Sequence, residues 1–188
     1  MKITIQDIEF SYNGFPALEN VNNRIEKGDF VALVGPNGSG KSTLIKCMNG
    51  ILKVSKGTVL IDDRAISMFS PNELAREIAY VPQSENRKAV LKVFDIVLLG
   101  RKPYINWKPA EHDLRVTSEI LNTLNLDHLA MRDFNKLSGG QQQIVYIARA
   151  LAQEPDILLL DEPIANLDIR HQIEVLNLLK KLSARGIT

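Results

Sequence analysis

Three short segments of this chain carry residue types whose spacing suits phosphate chemistry. The first, the phosphate loop, runs from Gly35 to Ser42: a glycine, four residues, a second glycine, a lysine and a hydroxyl residue. Its glycines let successive N–H groups point into one concave nest, and the following helix adds its positive N-terminal end. Lys41 can reach the β- and γ-phosphates of a nucleotide, and the Ser42 hydroxyl can bind Mg²⁺. The predicted nucleotide-binding residues here are Gly35, Pro36, Asn37, Gly38, Ser39, Gly40, Lys41, Ser42 and Thr43.

The second segment is an apolar run, Ile157–Leu160, that ends in Asp161 and Glu162. A buried strand ending in two carboxylates would place Asp161 near the Mg²⁺ and leave Glu162 to polarise a water molecule. An acidic first turn of the next helix is the alternative, because Asp and Glu favour helix N-termini. The phosphate loop in the same chain makes that alternative the weaker one. We therefore predict a metal ligand at Asp161 and a general base at Glu162.

The third segment, the signature, is Leu137-Ser138-Gly139-Gly140-Gln141. Ser138 and Gln141 have capping-box spacing, so a plain helix start is a real alternative. However, two glycines in a first turn cost up to ~1 kcal/mol each relative to alanine. A sequence tolerates this cost where something approaches the backbone closely. A second anion site at a helix N-terminus would be such a case.

An α/β architecture must position these segments. Strand patterns occupy the first 34 residues, with a turn at Asn13-Gly14 and a short buried run at Phe30–Val34. The remaining predicted elements are a helix at 41–49 that Gly50 ends, a strand at 58–61, a helix start at Ser70, a strand at 79–81, a mainly helical stretch at about 85–153 with helix starts at Pro109 and Ser138, a strand at 157–160 and a helix at 170–184. Buried strands separated by helices imply a parallel sheet covered on both faces. The front strands suggest a small antiparallel sheet, and the helical stretch an inserted subdomain.

Composition excludes several classes of protein. The chain has 188 residues, 23 of them basic and 22 acidic, and this near-neutral balance argues against a nucleic-acid partner. Hydrophobic residues make up 45%, which is enough for a core, and the length fits one domain spanning 1–188. A lone cysteine, Cys47, cannot form an internal disulfide, which fits a reducing compartment and a plain core role.

In this order, the three segments resemble those of the ATP-binding subunit of ABC transporters. The resemblance runs from about residue 2 to the end, and the five-residue signature is largely confined to that superfamily. It implies a P-loop ATPase core with a mixed or parallel sheet, a small N-terminal antiparallel β subdomain and an inserted helical subdomain that carries the signature. It also implies that the C-terminal part of the family fold is missing.

The resemblance assigns further roles to individual residues. Tyr12 looks like the aromatic residue that stacks on adenine, although a half-buried strand tyrosine is the alternative. Gln83 looks like the glutamine that contacts Mg²⁺ and the attacking water, with an exposed loop glutamine as the alternative. Asp168, in the loop 166–168, looks like the residue by which one subunit senses the site of the other. The implied residues that bind ATP held on a partner chain are Ser138, Gly139, Gly140 and Gln141; the implied catalytic residues are Glu162, Lys41 and Gln83; and the implied Mg²⁺ ligands are Ser42, Gln83 and Asp161.

The same resemblance implies the surroundings in which the chain works. ATP and Mg²⁺ are the expected cofactors, and two nucleotides would be sandwiched between two head-to-tail copies of the chain. Transmembrane permease subunits are the expected partners, with a substrate-binding protein acting indirectly and no nucleic acid involved. The expected location is peripheral, on the cytoplasmic side of the cell membrane.

Some positions depart from the family pattern. Ile164-Ala165 stands where Thr-Ser is usual, and Ile144 stands where an arginine usually follows the signature. The switch histidine, expected on the strand after the helix at 170–184, is not found in these 188 residues. None of the three histidines replaces it: His112 and His128 lie in the helical subdomain, and His171 is interpreted as a helix-surface residue close to Asp168.

Two segments narrow the resemblance to importers of ferric siderophores, haem and cobalamin: Val97–Tyr104 and Leu167–Gln172. The first would lie in the subdomain that faces the permease. Two other functions stay open at this point. One is an ABC-type ATPase in DNA repair or on the ribosome, and the other is a nucleotide-binding module without turnover.

Overall fold

The computed structural model describes residues 2–83, 91–165 and 167–188. Its strands are β1 (Ile3–Tyr12), β2 (Phe15–Ile25), β3 (Lys56–Ile61), β4 (Arg64–Ala65), β5 (Ile78–Val81) and β6 (Ile157–Leu160). Its α-helices are α1 (Lys41–Met48), α2 (Pro71–Glu77), α3 (Val93–Leu98), α4 (Glu111–Thr123), α5 (Gly139–Leu151) and α6 (Ile169–Ala184). The chain divides into two compact units, one of Met1–Leu74 with Leu179–Thr188 and one of Ala75–Leu178.

The first unit contains an antiparallel sheet with strand order β2-β1-β3-β4. Asn13 and Gly14 connect β1 to β2 with positive φ angles of 48° and 85°, a conformation that asparagine and glycine adopt most readily. Ile3, Ile5 and Ile8 of β1 are buried in the core of this unit. The predicted N-terminal antiparallel sheet is confirmed.

The buried strand predicted at Phe30–Val34 is wrong for this structure. These residues form no strand, and Phe30 and Val34 are 54% and 93% exposed. A strand forms only where a neighbouring strand satisfies its backbone hydrogen bonds. Among the described residues, no strand of either sheet pairs with this segment, so its apolar side chains remain exposed.

The second unit holds a two-stranded parallel sheet and a helical core. β5 and β6 pair in register, with Tyr80 opposite Leu159 and Val81 opposite Leu160. Both strands are short and largely buried, as expected for parallel strands. The helices α3, α4 and α5 and the segment between α4 and α5 share one apolar core, formed by Val93, Ile96, Val97, Leu121, Leu126, Leu129, Phe134, Leu137, Val145, Ala148 and Ala152.

Arg101 is a buried charge within this helical core. It is 1% exposed, and its Nε and Nη1 atoms donate to Asp113 Oδ1 at 3.1 Å and Glu154 Oε2 at 2.6 Å. Nη1 also donates to the Ala152 carbonyl oxygen. Buried charges persist when they are paired and hydrogen-bonded. Within the segment 97–104, Arg101 therefore stabilises the helical packing and does not face solvent.

Local signals set several helix ends. Ser70 and Glu73 form the predicted capping box at α2, because the Ser70 N–H donates to Glu73 Oε2 at 2.8 Å and the Glu73 N–H donates to Ser70 Oγ at 3.3 Å. Gly50 and Gly186 follow α1 and α6 with φ angles of 69° and 94°. Cys47 is a free thiol, fully buried on α1. No helix in the described part of the chain is long and apolar enough to cross a membrane.

Candidate active site

The phosphate loop leads directly into α1. Gly40 occupies the N-cap position in a left-handed conformation, and no side chain caps the helix. The first four N–H groups of a helix have no partner within it, and they carry partial positive charge. The first turn of α1 contains no acidic residue. This end of the helix therefore suits the oxygens of a phosphate group.

Lys41 lies over the phosphate loop. Its Nζ donates to the carbonyl oxygens of Gly35 and Pro36, at 2.9 Å in each case. These two contacts draw the ammonium group back across the loop. The lysine is thus placed beside the uncapped helix end, where an anion would meet both.

Gly40 is required by its surroundings as well as by its backbone. A Cβ atom at this position would lie 2.5 Å from the Ala17 carbonyl oxygen and 3.0 Å from Leu18 Cδ2. Gly38 also has a positive φ, 81°, but a Cβ there would meet no atom within 4 Å. The loop therefore packs against β2 at Gly40 and is open at Gly38.

Tyr12 ends β1 beside α1. Its hydroxyl lies 3.5 Å from Thr43 Oγ1, and its ring meets the edge of Phe10 with a centroid distance of 4.9 Å. The side chain is 47% exposed. An aromatic face at the start of the same helix as the phosphate loop is compatible with the adenine-stacking role, which stays a prediction.

In the second unit, Asp161 continues the parallel pairing beyond β6. Its N–H donates to the Val81 carbonyl oxygen at 2.9 Å, and the residue is only 4% exposed. The Tyr80 hydroxyl donates to Asp161 Oδ2 at 3.4 Å. Burial, followed by the nearby Asp161 carboxylate, raises the pKa of Tyr80 to about 12. The phenol therefore stays protonated and can donate to this carboxylate across the physiological pH range.

Gln83 and Glu162 lie directly beyond the same two strands. Val81 and Leu160 are paired, and each of the two polar residues follows its strand by two positions. Gln83 Nε2 donates to Glu162 Oε2. Glu162 has a φ of 49°, a left-handed conformation that is uncommon for residues with a Cβ and that often occurs at functional sites. The two side chains predicted to handle the attacking water are therefore in contact.

The signature begins α5 as a capping box. The Gln141 N–H donates to Ser138 Oγ at 3.3 Å, and the Ser138 N–H donates to Gln141 Oε1 at 3.1 Å. Ser138 and Gln141 therefore do act as a helix start, as the alternative interpretation expected. A helix start alone does not explain the two glycines. Gly139 is exposed, and a Cβ there would meet only Leu167 Cδ2, at 3.9 Å.

Gly140 has a different neighbour. A Cβ at Gly140 would lie 2.3 Å from His171 Cδ2 and 2.5 Å from His171 Cγ, so the imidazole ring packs against its Cα. His171 Nδ1 lies 2.8 Å from Asp168 Oδ2. His171 lies on α6 with a side chain that is 29% exposed, so the helix-surface interpretation holds only in part, because the ring also joins two predicted site segments. The contact between the His171 ring and Gly140 was not predicted, because sequence spacing does not show which residues of two different helices meet.

Asp168 starts α6. Its Oδ1 accepts from the His171 N–H at 3.0 Å, and this bond, followed by the bond from the His171 ring, lowers the pKa of Asp168. The carboxylate is therefore ionised and firmly held. The neighbouring position 166 lies outside the described residues.

Among the described residues, no group of three or more His, Cys, Asp or Glu side chains could by itself hold a metal ion. The predicted Mg²⁺ ligands are instead a hydroxyl, an amide and a carboxylate at Ser42, Gln83 and Asp161. Mg²⁺ prefers oxygen ligands and usually binds through one or two carboxylates together with phosphates and water. This donor set fits that preference.

Comparison with known proteins identifies the family. The family described as ABC transporter matches residues 18–165, which include the phosphate loop, the signature and the two carboxylates after β6. The chain belongs to this family and is an ATP-binding cassette of the ABC ATPase class.

Two relatives illustrate its place in the family. An uncharacterised ABC transporter ATP-binding protein of Methanocaldococcus jannaschii is 46% identical over 183 residues, covering 97% of this chain and 72% of the relative. The achromobactin transport ATP-binding protein of Dickeya dadantii is 40% identical, covering 96% of this chain and 68% of the relative.

Solved structures agree with this placement. A putative metal-chelate type ABC transporter in an inward-facing conformation matches with a TM-score of 0.87 and 38% identity, over 100% of this chain and 70% of the solved one. A dimeric ATP-binding cassette bound to ADP and Pi after hydrolysis matches with a TM-score of 0.83 and 34% identity, over 99% of this chain and 85% of the solved one. The P-loop ABC ATPase fold is thereby confirmed.

The different surroundings of Gly40 and Gly38 make a prediction about the phosphate loop. Gly38→Ala should lower the free energy of unfolding by about 1–2 kcal/mol, which is the cost of a left-handed alanine. Gly40→Ala should cost more, because its Cβ also meets the Ala17 carbonyl oxygen at 2.5 Å. Urea unfolding of both variants measures the difference, and equal losses would show that β2 does not constrain the loop at Gly40.

Proposed function

We propose that this chain binds and hydrolyses ATP as the motor subunit of an importer of a chelated metal. The observation that carries the proposal is the pairing of β5 with β6, which brings Gln83 into contact with Glu162 beside the buried Asp161. The family match covers this region together with the phosphate loop.

Binding would rest on the first unit. The uncapped end of α1 offers N–H groups, and Lys41 adds a positive charge beside them. Tyr12 would stack on the adenine ring from the end of β1. Ser42 and Asp161 are proposed as ligands of Mg²⁺, which supplies charge neutralisation on the phosphates when it is bound.

Hydrolysis would rest on Glu162 and Gln83. Phosphoryl transfer to water depends on positioning and electrostatic stabilisation more than on covalent chemistry. Glu162 would accept a proton from the attacking water, and Gln83 would hold the Glu162 carboxylate in position through its amide.

The second nucleotide contact would come from another copy of the chain. We propose that Ser138, Gly139, Gly140 and Gln141 bind the γ-phosphate of ATP held by a partner, since Gly139 leaves the backbone open at the start of α5. Asp168 would report on the partner's site. Such a dimer would work against a transmembrane permease on the cytoplasmic side of the membrane, with a substrate-binding protein acting indirectly.

Replacement of the proposed base tests the hydrolysis mechanism. In Glu162→Gln, the new amide oxygen can still accept from Gln83, but the side chain no longer takes up a proton. ATP affinity should be retained, turnover should fall by ~10²-fold or more, and ATP-bound dimers should accumulate. Initial rates of phosphate release and nucleotide-binding isotherms measure the two effects.

Glu174→Gln is the matched control for this variant, because Glu174 is an exposed carboxylate on α6 whose only described ion pair is with Arg170. Its turnover should equal that of the unmodified chain. Near-normal turnover in Glu162→Gln would remove this residue from the mechanism.

The cargo is proposed from the relatives. The Dickeya relative is named for achromobactin transport, and a Bacillus subtilis relative that is 38% identical is described as a probable siderophore transport system ATP-binding protein. Together with the segments 97–104 and 167–172, these names favour a ferric siderophore, with haem and cobalamin as the alternatives.

Purification of the chain with its native permease tests the cargo. The permease complex in lipid vesicles should accumulate radiolabelled ferric siderophore when ATP is present, and the Glu162→Gln complex should not. Uptake of a different class of cargo, with no uptake of an iron chelate, haem or cobalamin, would contradict the proposal.

A further inference from the structure

His171 joins two segments that are far apart in the chain. Its ring packs against Gly140, where a Cβ atom would lie 2.3 Å from His171 Cδ2. His171 also makes two hydrogen bonds with Asp168, one from its backbone N–H at 3.0 Å and one through its ring Nδ1 at 2.8 Å. Because the ionised carboxylate only accepts hydrogen bonds, Nδ1 must carry the proton in this pair.

The neighbours of His171 support the same connection. Leu167 lies against Gly139, with 3.9 Å between Leu167 Cδ2 and the position of a Cβ at Gly139. Gln172 Nε2 donates to the Leu167 carbonyl oxygen at 2.9 Å. His171, in the first turn of α6, thus contacts Gly140, and Leu167, in the loop before α6, contacts Gly139.

We propose that His171 is a positioning residue that holds Asp168 and the first turn of α5 in one fixed arrangement. The inference rests on the proposed function, in which both segments face a nucleotide held by a second copy of the chain. It goes further by naming an internal link between the two segments. Because His171 links the two segments, a shift of the signature when it binds the partner's nucleotide also shifts Asp168.

The proposed role of His171 affects nucleotide binding by a single chain and ATP-driven dimerisation differently. The described contacts of His171 are with Gly140 and Asp168 in the second unit, whereas the phosphate loop and Tyr12 belong to the first unit. Nucleotide affinity of a single chain should therefore not depend on His171. Steps that need the partner should depend on it, because a displaced loop or signature loses aligned contacts.

Three substitutions of His171 test the link. His171→Ala should leave ATP affinity of the monomer within about twofold while weakening ATP-driven dimerisation and lowering kcat by about five- to tenfold, the lower end of the range that coupling between sites usually spans. His171→Asn keeps an N–H donor near the place of Nδ1 and should recover most of the loss. His171→Phe keeps a ring beside Gly140 but offers no donor to Asp168, and it should stay impaired. Calorimetry measures ATP affinity, sedimentation velocity in the Glu162→Gln background measures dimerisation, and steady-state kinetics of the permease complex give kcat.

His128→Ala is the matched control. His128 is also a histidine beside an aspartate, with Nδ1 4.0 Å from Asp127 Oδ1, but both side chains are well exposed. It should behave as the unmodified chain in all three assays. A His171→Ala variant that is folded, dimerises normally and keeps its kcat would overturn the inference.

A double-mutant cycle tests the contact itself. Gly140→Ala should impair dimerisation because its Cβ collides with the imidazole ring. Adding His171→Ala removes that collision, so the double variant should lose less than the sum of the two single losses. Additive losses would overturn the contact as the source of the effect.

The outcomes distinguish this inference from the proposed function. If the unmodified chain neither dimerises with ATP nor hydrolyses it in the permease complex, the proposed function fails and the inference fails with it. If the unmodified chain does both and the His171 variants match it, only the inference fails.

Discussion

The uncapped first turn of α1 is the constraint on which the chemistry of this chain depends. A helix leaves its first N–H groups without internal partners, and a polar side chain at the N-cap can satisfy one of them. Here the N-cap is Gly40 in a left-handed conformation, where a side chain would also collide with β2. By contrast, α5 is closed by the capping box of Ser138 and Gln141. The N-terminus of α1 is therefore suited to bind phosphate. The N-terminus of α5 keeps its capping box and has an exposed backbone at Gly139.

The parallel register of β5 and β6 provides the second part of the chemistry. Because Val81 and Leu160 are paired, the residues two positions beyond them emerge side by side. This places the amide of Gln83 on the carboxylate of Glu162, with Asp161 held between the strand end and Tyr80. The register of the backbone hydrogen bonds between β5 and β6 therefore decides which side chains meet beyond the strand ends.

Features with local causes were predictable from the sequence. The turn at Asn13-Gly14, the capping box at Ser70 and the helix after the phosphate loop follow from neighbouring residues, and the structure contains all three. The strand at Phe30–Val34 was predicted wrongly, because apolar content indicates a buried strand only where a neighbouring strand pairs with it. The position of His171 was also missed, since the contact between its ring and Gly140 depends on how α5 and α6 pack. The roles of the individual site residues stay predictions that the geometry supports.

The central claim is that each nucleotide is held by the phosphate loop of one copy and the signature of another. The most direct measurement is ATP trapped per dimer when chains carrying Lys41→Ala are mixed with chains carrying Ser138→Ala, both in the Glu162→Gln background. In a mixed dimer, one site combines both defects and the other combines an intact phosphate loop with an intact signature. The account predicts that neither variant alone traps ATP in a dimer and that the mixture traps one ATP per mixed dimer. A mixture that traps no more ATP than the separate variants, with both chains folded, would contradict the shared site.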